Sequence, residues 1–227
     1  AVMNPELTYT LPDYQTQCGC TDIMMHTMER YFNMSENMEL TDGISEALIK
    51  TVMKHSKILK EHPDCYESRA EVMWASSLSH NGLTGCGTDG GDWACHQLEH
   101  EIGGMFDVAH GAGLAAVWGS WARYVYKARP DRFAKFARNI FDIQETDDEK
   151  AAVAGIEAME SYYRSVGMPT SLCELGIHAT EEQIKEMADK CSFYGKRTVG
   201  VMKKIGASEA AEIYRMANDK SIPLCSR

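Results

Sequence analysis

The apolar positions of this chain recur mostly with the period of an amphipathic helix. Ile44, Leu48 and Val52 stand at i, i+4 and i+8, and Ile58 and Leu59 continue the stripe. Ala152, Ile156, Met159 and Tyr163 repeat the pattern. Capping signals support these helices. Thr146 with Glu149, and Thr180 with Gln183, have the spacing of capping boxes, in which a hydroxyl and a side chain three residues on satisfy free amides at a helix start. Gly167 before Met168-Pro169 is a stop signal, because glycine accepts the left-handed cap and proline cannot continue a helix. Alternation of period two occurs once, over Leu7 to Leu11, where it predicts a short strand ended by Pro12. The remaining pattern predicts helices near 20–33, 43–60, 66–82, 92–105, 110–127, 131–142, 147–165, 181–189 and 208–218. The expected fold class is therefore all-α, with no linker between two cores and no internal repeat.

The 227 residues are enough for a substantial core, and 44% apolar with 25% charged residues is ordinary globular composition. With 23 Lys plus Arg against 33 Asp plus Glu, the net charge of −10 argues against a nucleic-acid partner and against a polybasic membrane surface. The longest apolar stretch, Gly111 to Trp121, is too short to span a bilayer, and AVMNPELTYT has no secretory pattern. The eight cysteines then read as reduced thiols, and the expected location is cytoplasmic. Gly85, Gly87 and Gly90 match G-x-G-x-x-G, but a helix rather than a strand is predicted before them. They are read as a helix-to-helix loop ending at Asp92, an expected N-cap.

Candidate chemistry lies in the histidines. His96 and His100 are one helical turn apart, and His110 follows Gly103-Gly104 at the start of the next predicted helix. Their neighbours Gly103, Gly104, Gly111, Ala112 and Gly113 are small and leave room for a bound group. Asp22, His26 and Glu29 form one stripe of another helix, flanked by Met25, Met28 and Phe32. One carboxylate and up to three imidazoles suit Fe(II), Zn(II), Mn(II) or Ni(II), and not Ca(II) or a thiolate site. With Fe(II), that set would leave the site net positive. Spacing alone does not choose between His96 and His100. His55, His62, His80 and His178 stand alone in sequence and read as surface or satisfied core groups. Cys86, Cys95, His96 and His100 fit no standard zinc-finger spacing. Neither a G-x-S-x-G elbow nor a Walker-type phosphate loop occurs.

Two ordered motifs carry a resemblance. The first is Leu11-Pro12-Asp13-Tyr14-Gln15-Thr16-Gln17 leading into Gly19-x-x-Asp22-x-x-x-His26-x-x-Glu29. The second is Asp92-Trp93-Ala94-x-His96-x-x-x-His100, followed after nine residues by His110-Gly111. In both, and along essentially its whole length, the chain resembles the iron-dependent (group III) alcohol dehydrogenases, nearest their butanol dehydrogenase-like branch. The resemblance implies metal ligands at Asp22, His26, His96 and His110. It places His100 beside metal and substrate as a candidate proton relay and not a ligand. Cys20 and Cys95, next to ligand positions, could compete for a soft metal. The resemblance also implies that residues 1–227 are only the helical metal-binding C-terminal domain, without the N-terminal dinucleotide-binding domain. The expected function is then the metal-binding part of an NAD- or NADP-linked enzyme interconverting primary alcohols and aldehydes, a homodimer in full-length form. The chain alone is expected to bind Fe(II), or Zn(II), Mn(II) or Ni(II), without turnover. A helical metal-dependent hydrolase and a non-catalytic interaction domain are the competing readings.

Overall fold

The computed structural model describes residues 1–219. Among these residues nine α-helices follow in order: α1 (Asp13–Tyr31), α2 (Glu39–Glu61), α3 (Tyr66–His80), α4 (Ala94–Phe106), α5 (His110–Val125), α6 (Pro130–Phe141), α7 (Asp148–Ser165), α8 (Glu181–Cys191) and α9 (Ala207–Asn218). Among the described residues there is no strand, and one isolated antiparallel bridge joins Val199 to Ile205. The all-α architecture is thus the expected one. No helix among them is long and apolar enough to cross a membrane. Cys18, Cys20, Cys65, Cys86, Cys95 and Cys191 are free thiols.

Four local expectations are corrected. Leu7 to Leu11 is not a strand: Pro5–Thr8 is a 3-10 turn, with Asn4 Oδ1 accepting from the Glu6 amide at 3.1 Å. Asn followed by Pro is a helix-start pair, and no neighbouring strand is present to use the alternation. Helix α1 begins at Asp13, directly after Pro12, and not near residue 20. The box expected at Thr146 does not form: Asp147 is the cap of α7, and its carboxylate accepts from the Lys150 amide at 2.9 Å. Asp92 is not the N-cap of α4. That place falls to Trp93, whose φ of 60° is left-handed. The Thr180–Gln183 box forms as expected, at 3.3 and 2.8 Å. Gly167, with φ of +83°, ends α7.

Helix α5 is the centre of the molecule. Every residue from Gly111 to Ala122 is buried, and α5 packs on α1, α4, α7 and α9. Trp118 and Trp121 fill the core together with Phe32, Phe133 and Phe136; the Phe32 and Phe133 rings stack at 4.3 Å. The rest is arranged around this rod: α1–α3 on one flank, the α6–α7 hairpin and the α8–α9 hairpin on the others. A buried ion pair ties α2 to α6: Arg132 reaches both oxygens of Asp42, donates to the Tyr31 carbonyl at 2.7 Å and lies 4.2 Å over the Tyr31 ring.

The approach of α5 to α1 is set at Gly111. A Cβ there would lie 2.1 Å from the Cys18 carbonyl oxygen, so only glycine lets the backbones touch. This contact is one residue from His110 and four from Asp22. Because main chain cannot give way as a side-chain end can, Gly111→Ala should cost about 1–3 kcal/mol or more of stability, read as a lower denaturant midpoint. Wild-type stability in that variant would contradict the close approach.

Candidate metal centre

The structure gathers residues from four helices. Helix α1 supplies Asp22 and His26 one turn apart, α4 supplies His96, α5 begins with His110, and α3 ends with His80. The geometry converges on one atom. Asp22 Oδ1 lies 3.6 Å from His26 Nε2, 3.6 Å from His96 Nε2 and 3.5 Å from His110 Nε2. A tetrahedral first-row ion with bonds near 2.1 Å would have ligand-to-ligand edges of about 3.4 Å.

Two buried carboxyl groups orient the imidazoles. Glu29 Oε1 accepts from the His96 amide at 3.0 Å and lies 3.3 Å from His96 Nδ1. Glu99 Oε2 makes a short hydrogen bond with His110 Nδ1. Each carboxylate accepts a hydrogen bond from Nδ1–H and turns Nε2 toward Asp22, the usual support of a metal-binding imidazole. Gly91 makes the Glu29 contact possible: a Cβ there would meet the Glu29 carbonyl at 2.6 Å, and the adjacent Asp92 amide donates to that carbonyl at 2.8 Å. Asp92 in turn receives the Ala94, Val201 and Met202 amides at 3.2, 2.8 and 2.8 Å, which fastens the start of α4 to the loop before α9.

Whether these residues suit a cation is decided by what they leave unsatisfied. Asp22 Oδ1 and His96 Nε2 are buried and have no hydrogen-bond partner. A buried lone pair without a partner is costly, and here two of them face a shared point. A divalent ion at that point would satisfy both, so the donor set of one carboxylate and three imidazoles fits a first-row metal. Glu29 and Glu99 also correct the charge expected from sequence. With them counted, a divalent ion no longer leaves the surroundings net positive.

The protonation pattern agrees. Burial opposes charge on Asp22, yet the imidazoles of His110 and His96 beside it outweigh this and hold it well below the usual carboxylate range. His110 is pushed up to about 10 by the Asp22 carboxylate beside it and its hydrogen bond to Glu99, against burial. Burial would lower His96, but Asp22 and Glu29 raise it on balance. His26 is pushed down to about 4, chiefly by burial, and is a neutral donor near pH 7. Without an ion, a proton on His110 thus stands beside Asp22.

His100 stands one turn beyond His96. Its ring is 5.7 Å from that of His110, nearly parallel, and 6.4 Å from that of His96. Burial lowers its pKa most, and nearby His110 and His96 lower it further against Glu99. The structure groups Glu99, His100 and His110 closely, but gives His100 no contact with Asp22 among the ion pairs. Cys20 and Cys95 take no part in the cluster. Both are fully buried, and burial pushes the Cys20 thiol up to about 12 and Cys95 well above its usual value. Cys86, Cys95, His96 and His100 do not gather as a zinc site among the described residues.

Two functional residues were not legible as such. Glu99 was missed, although a carboxyl group on the buried face of Cys95, Leu98 and Ile102 is a signal in itself. His80, read from sequence as incidental, lies with its Nε2 3.6 Å from Asp22 Oδ2, and its ring is 3.9 Å from that of His26. No spacing rule links residues 58 positions apart in sequence; the packing of α3 on α1 brings them together.

The sequence model of the Fe-containing alcohol dehydrogenase family, C-terminal, matches residues 16–217. The chain is 36% identical to NADH-dependent butanol dehydrogenase A of Clostridium acetobutylicum over 217 residues, which is 95% of this chain and 55% of that protein. It is 31% identical to an NADPH-dependent aldehyde reductase of Escherichia coli, over 96% of this chain and 55% of the relative. The crystal structure of NADH-dependent butanol dehydrogenase A from Thermotoga maritima superposes with a TM-score of 0.89 at 36% identity, covering 95% of this chain and 55% of that one. The chain therefore spans about half the length of the relatives it matches.

His110, pushed up to about 10, sets the sign of a pH dependence. A cation entering near pH 7 must displace its proton, so binding should release protons, and apparent affinity should rise about tenfold per pH unit for each proton displaced. Titration calorimetry of Zn(II) into the chain in two buffers of different ionisation enthalpy measures this release. Binding near pH 7 with no proton release would contradict the assignment.

Proposed function

Because the chain belongs to the Fe-containing alcohol dehydrogenase family, we propose that it is the metal-binding, helical half of an enzyme that interconverts primary alcohols and aldehydes with a nicotinamide cofactor. The observation that carries this reading is the convergence of three imidazole Nε2 atoms on the partnerless Oδ1 of Asp22. Asp22, His26, His96 and His110 would hold the ion, with Fe(II) favoured by the family and Zn(II), Mn(II) or Ni(II) chemically acceptable to the same donors. Bound there, a divalent ion would supply Lewis acidity toward an alcohol or carbonyl oxygen.

The chain's own residues supply the rest. Glu29 and Glu99 keep the His96 and His110 rings in one tautomer and orientation. His100 stands beside His110 with a lowered pKa, so near neutral pH it is a free base able to take the hydroxyl proton of an alcohol. The balance is simple: the alcohol gives its hydroxyl proton toward His100 and its carbon-bound hydride to the oxidised nicotinamide, leaving the aldehyde. In reduction both return. The relatives named above are described as NADH- and NADPH-dependent, so the proposal is the nicotinamide and not a choice of its 2′-phosphate. The nucleotide contacts would come from the half of those relatives that this chain does not match. The free buried thiols suit a reducing, cytoplasm-like compartment.

Two results are expected. Anaerobically purified chain should hold about one first-row ion, by elemental analysis, and the double variant His96→Ala/His110→Ala should hold none. The chain alone should not oxidise butanol with NAD or NADP, whereas joined to a nucleotide-binding half it should. There His100→Ala should lower turnover by about 10²–10⁴-fold, the usual worth of a general base. Chelator-sensitive ester hydrolysis by the chain alone would overturn the dehydrogenase reading, and equal metal content in both proteins would overturn the ligand set.

A further inference from the structure

We infer that His80 is a further ligand of the same ion, so that the centre offers four imidazoles and one carboxylate. This rests on the metal-centre reading above and extends it by one residue. His80 is the last residue of α3, its side chain about two-fifths exposed at the mouth of the site. Its Nε2 lies 3.6 Å from Asp22 Oδ2, the oxygen that His26, His96 and His110 do not face. Ligating atoms of Asp22, His26 and His80 all fall within 4.8 Å of one another, as do those of Asp22, His96 and His110. The two triads share Asp22, and His26 stands between His80 and His96, with ring centroids 3.9 and 4.6 Å away.

The other ring nitrogen fixes the tautomer. His80 Nδ1 is 2.9 Å from the Ser76 carbonyl oxygen and 2.8 Å from Ser79 Oγ, and the Ser79 hydroxyl itself donates to the Ser76 carbonyl at 2.9 Å. A carbonyl only accepts, and the one Ser79 proton is already used, so Nδ1 carries the hydrogen. Nε2 then faces a carboxylate oxygen at 3.6 Å, an approach that needs a positive charge, a proton or a metal ion, between the two groups. A backbone carbonyl holding Nδ1–H is the same support that ligating imidazoles ordinarily have. The family's four-residue set does not include this position. His80 would add a nitrogen donor and tighten retention of the ion.

The test uses Co(II)- and Zn(II)-loaded chain beside His80→Gln, His80→Ala and the His96→Ala/His110→Ala control. Each imidazole bound to Co(II) through Nε2 gives one hyperfine-shifted, solvent-exchangeable Nδ1–H proton resonance. Wild type should show four and His80→Gln three. Competition with a chelator should show Zn(II) held about tenfold or more weakly by both His80 variants. Circular dichroism of His80→Gln guards against misfolding. Three shifted resonances in the wild type, or a Gln variant with unchanged affinity, would overturn the inference and leave His80 only a hydrogen-bonding neighbour of Asp22. Two ions per chain would overturn it in favour of a separate site. A wild-type chain that binds no ion would defeat the metal-centre reading itself.

Discussion

Everything at the centre of this fold depends on keeping one carboxylate oxygen, Asp22 Oδ1, facing three imidazole nitrogens at 3.5 to 3.6 Å without any hydrogen-bond partner. Left alone, such a group of lone pairs is an electrostatic cost. The surrounding structure pays it in geometry. Helix α5 meets α1 main chain to main chain at Gly111 and Cys18, which sets His110 beside Asp22. Gly91 and Asp92 seat α4 against the last turns of α1, which brings Glu29 behind His96. The buried rod of α5 then holds both approaches rigid. The precision of the site comes from helix packing and not from loops, as a pre-organised centre needs.

Electrostatics divides the labour among carboxyl groups of one chemical type. Asp22 faces the shared point, while Glu29 and Glu99 stand behind imidazoles and fix their tautomers. Asp92 does none of this. It is pushed up to about 7, by burial first and by the nearby Glu29 charge, against the three backbone amides it receives. Its work is to join α4 to the loop before α9. Environment, and not residue type, separates the three roles.

Much of this was legible in the sequence because local rules govern it. Stripes of period 3.6 mark α2 and α7, a helix is expected near each of the nine α-helices among the described residues, and the Thr180–Gln183 box and Gly167 mark ends that the structure keeps. Asp22 with His26, and His96 with His100, are one-turn pairs that any helix places on one face. What failed was non-local. The alternation at Leu7–Leu11 had no partner strand, and Asn4-Pro5 made a 3-10 turn instead. Asp92 looked like a cap, but distant amides of Val201 and Met202 claim it, leaving Trp93 in left-handed geometry. His80 had no neighbour in sequence to give it meaning; only the packing of α3 on α1 does so. Choosing between His96 and His100 was likewise beyond spacing, because both lie on one helix face; Glu29 behind His96 distinguishes them.

The central claim is that Asp22 Oδ1 and the three Nε2 atoms surround a single cation. Its most direct test is a crystal structure of the chain with anomalous diffraction recorded on both sides of the absorption edge of the loaded metal. The account predicts one peak, present above the edge and absent below it, about 2.0–2.2 Å from Asp22 and from Nε2 of His26, His96 and His110. A peak elsewhere, or an ordered site in which Asp22 and these imidazoles meet with no anomalous density between them, would contradict it.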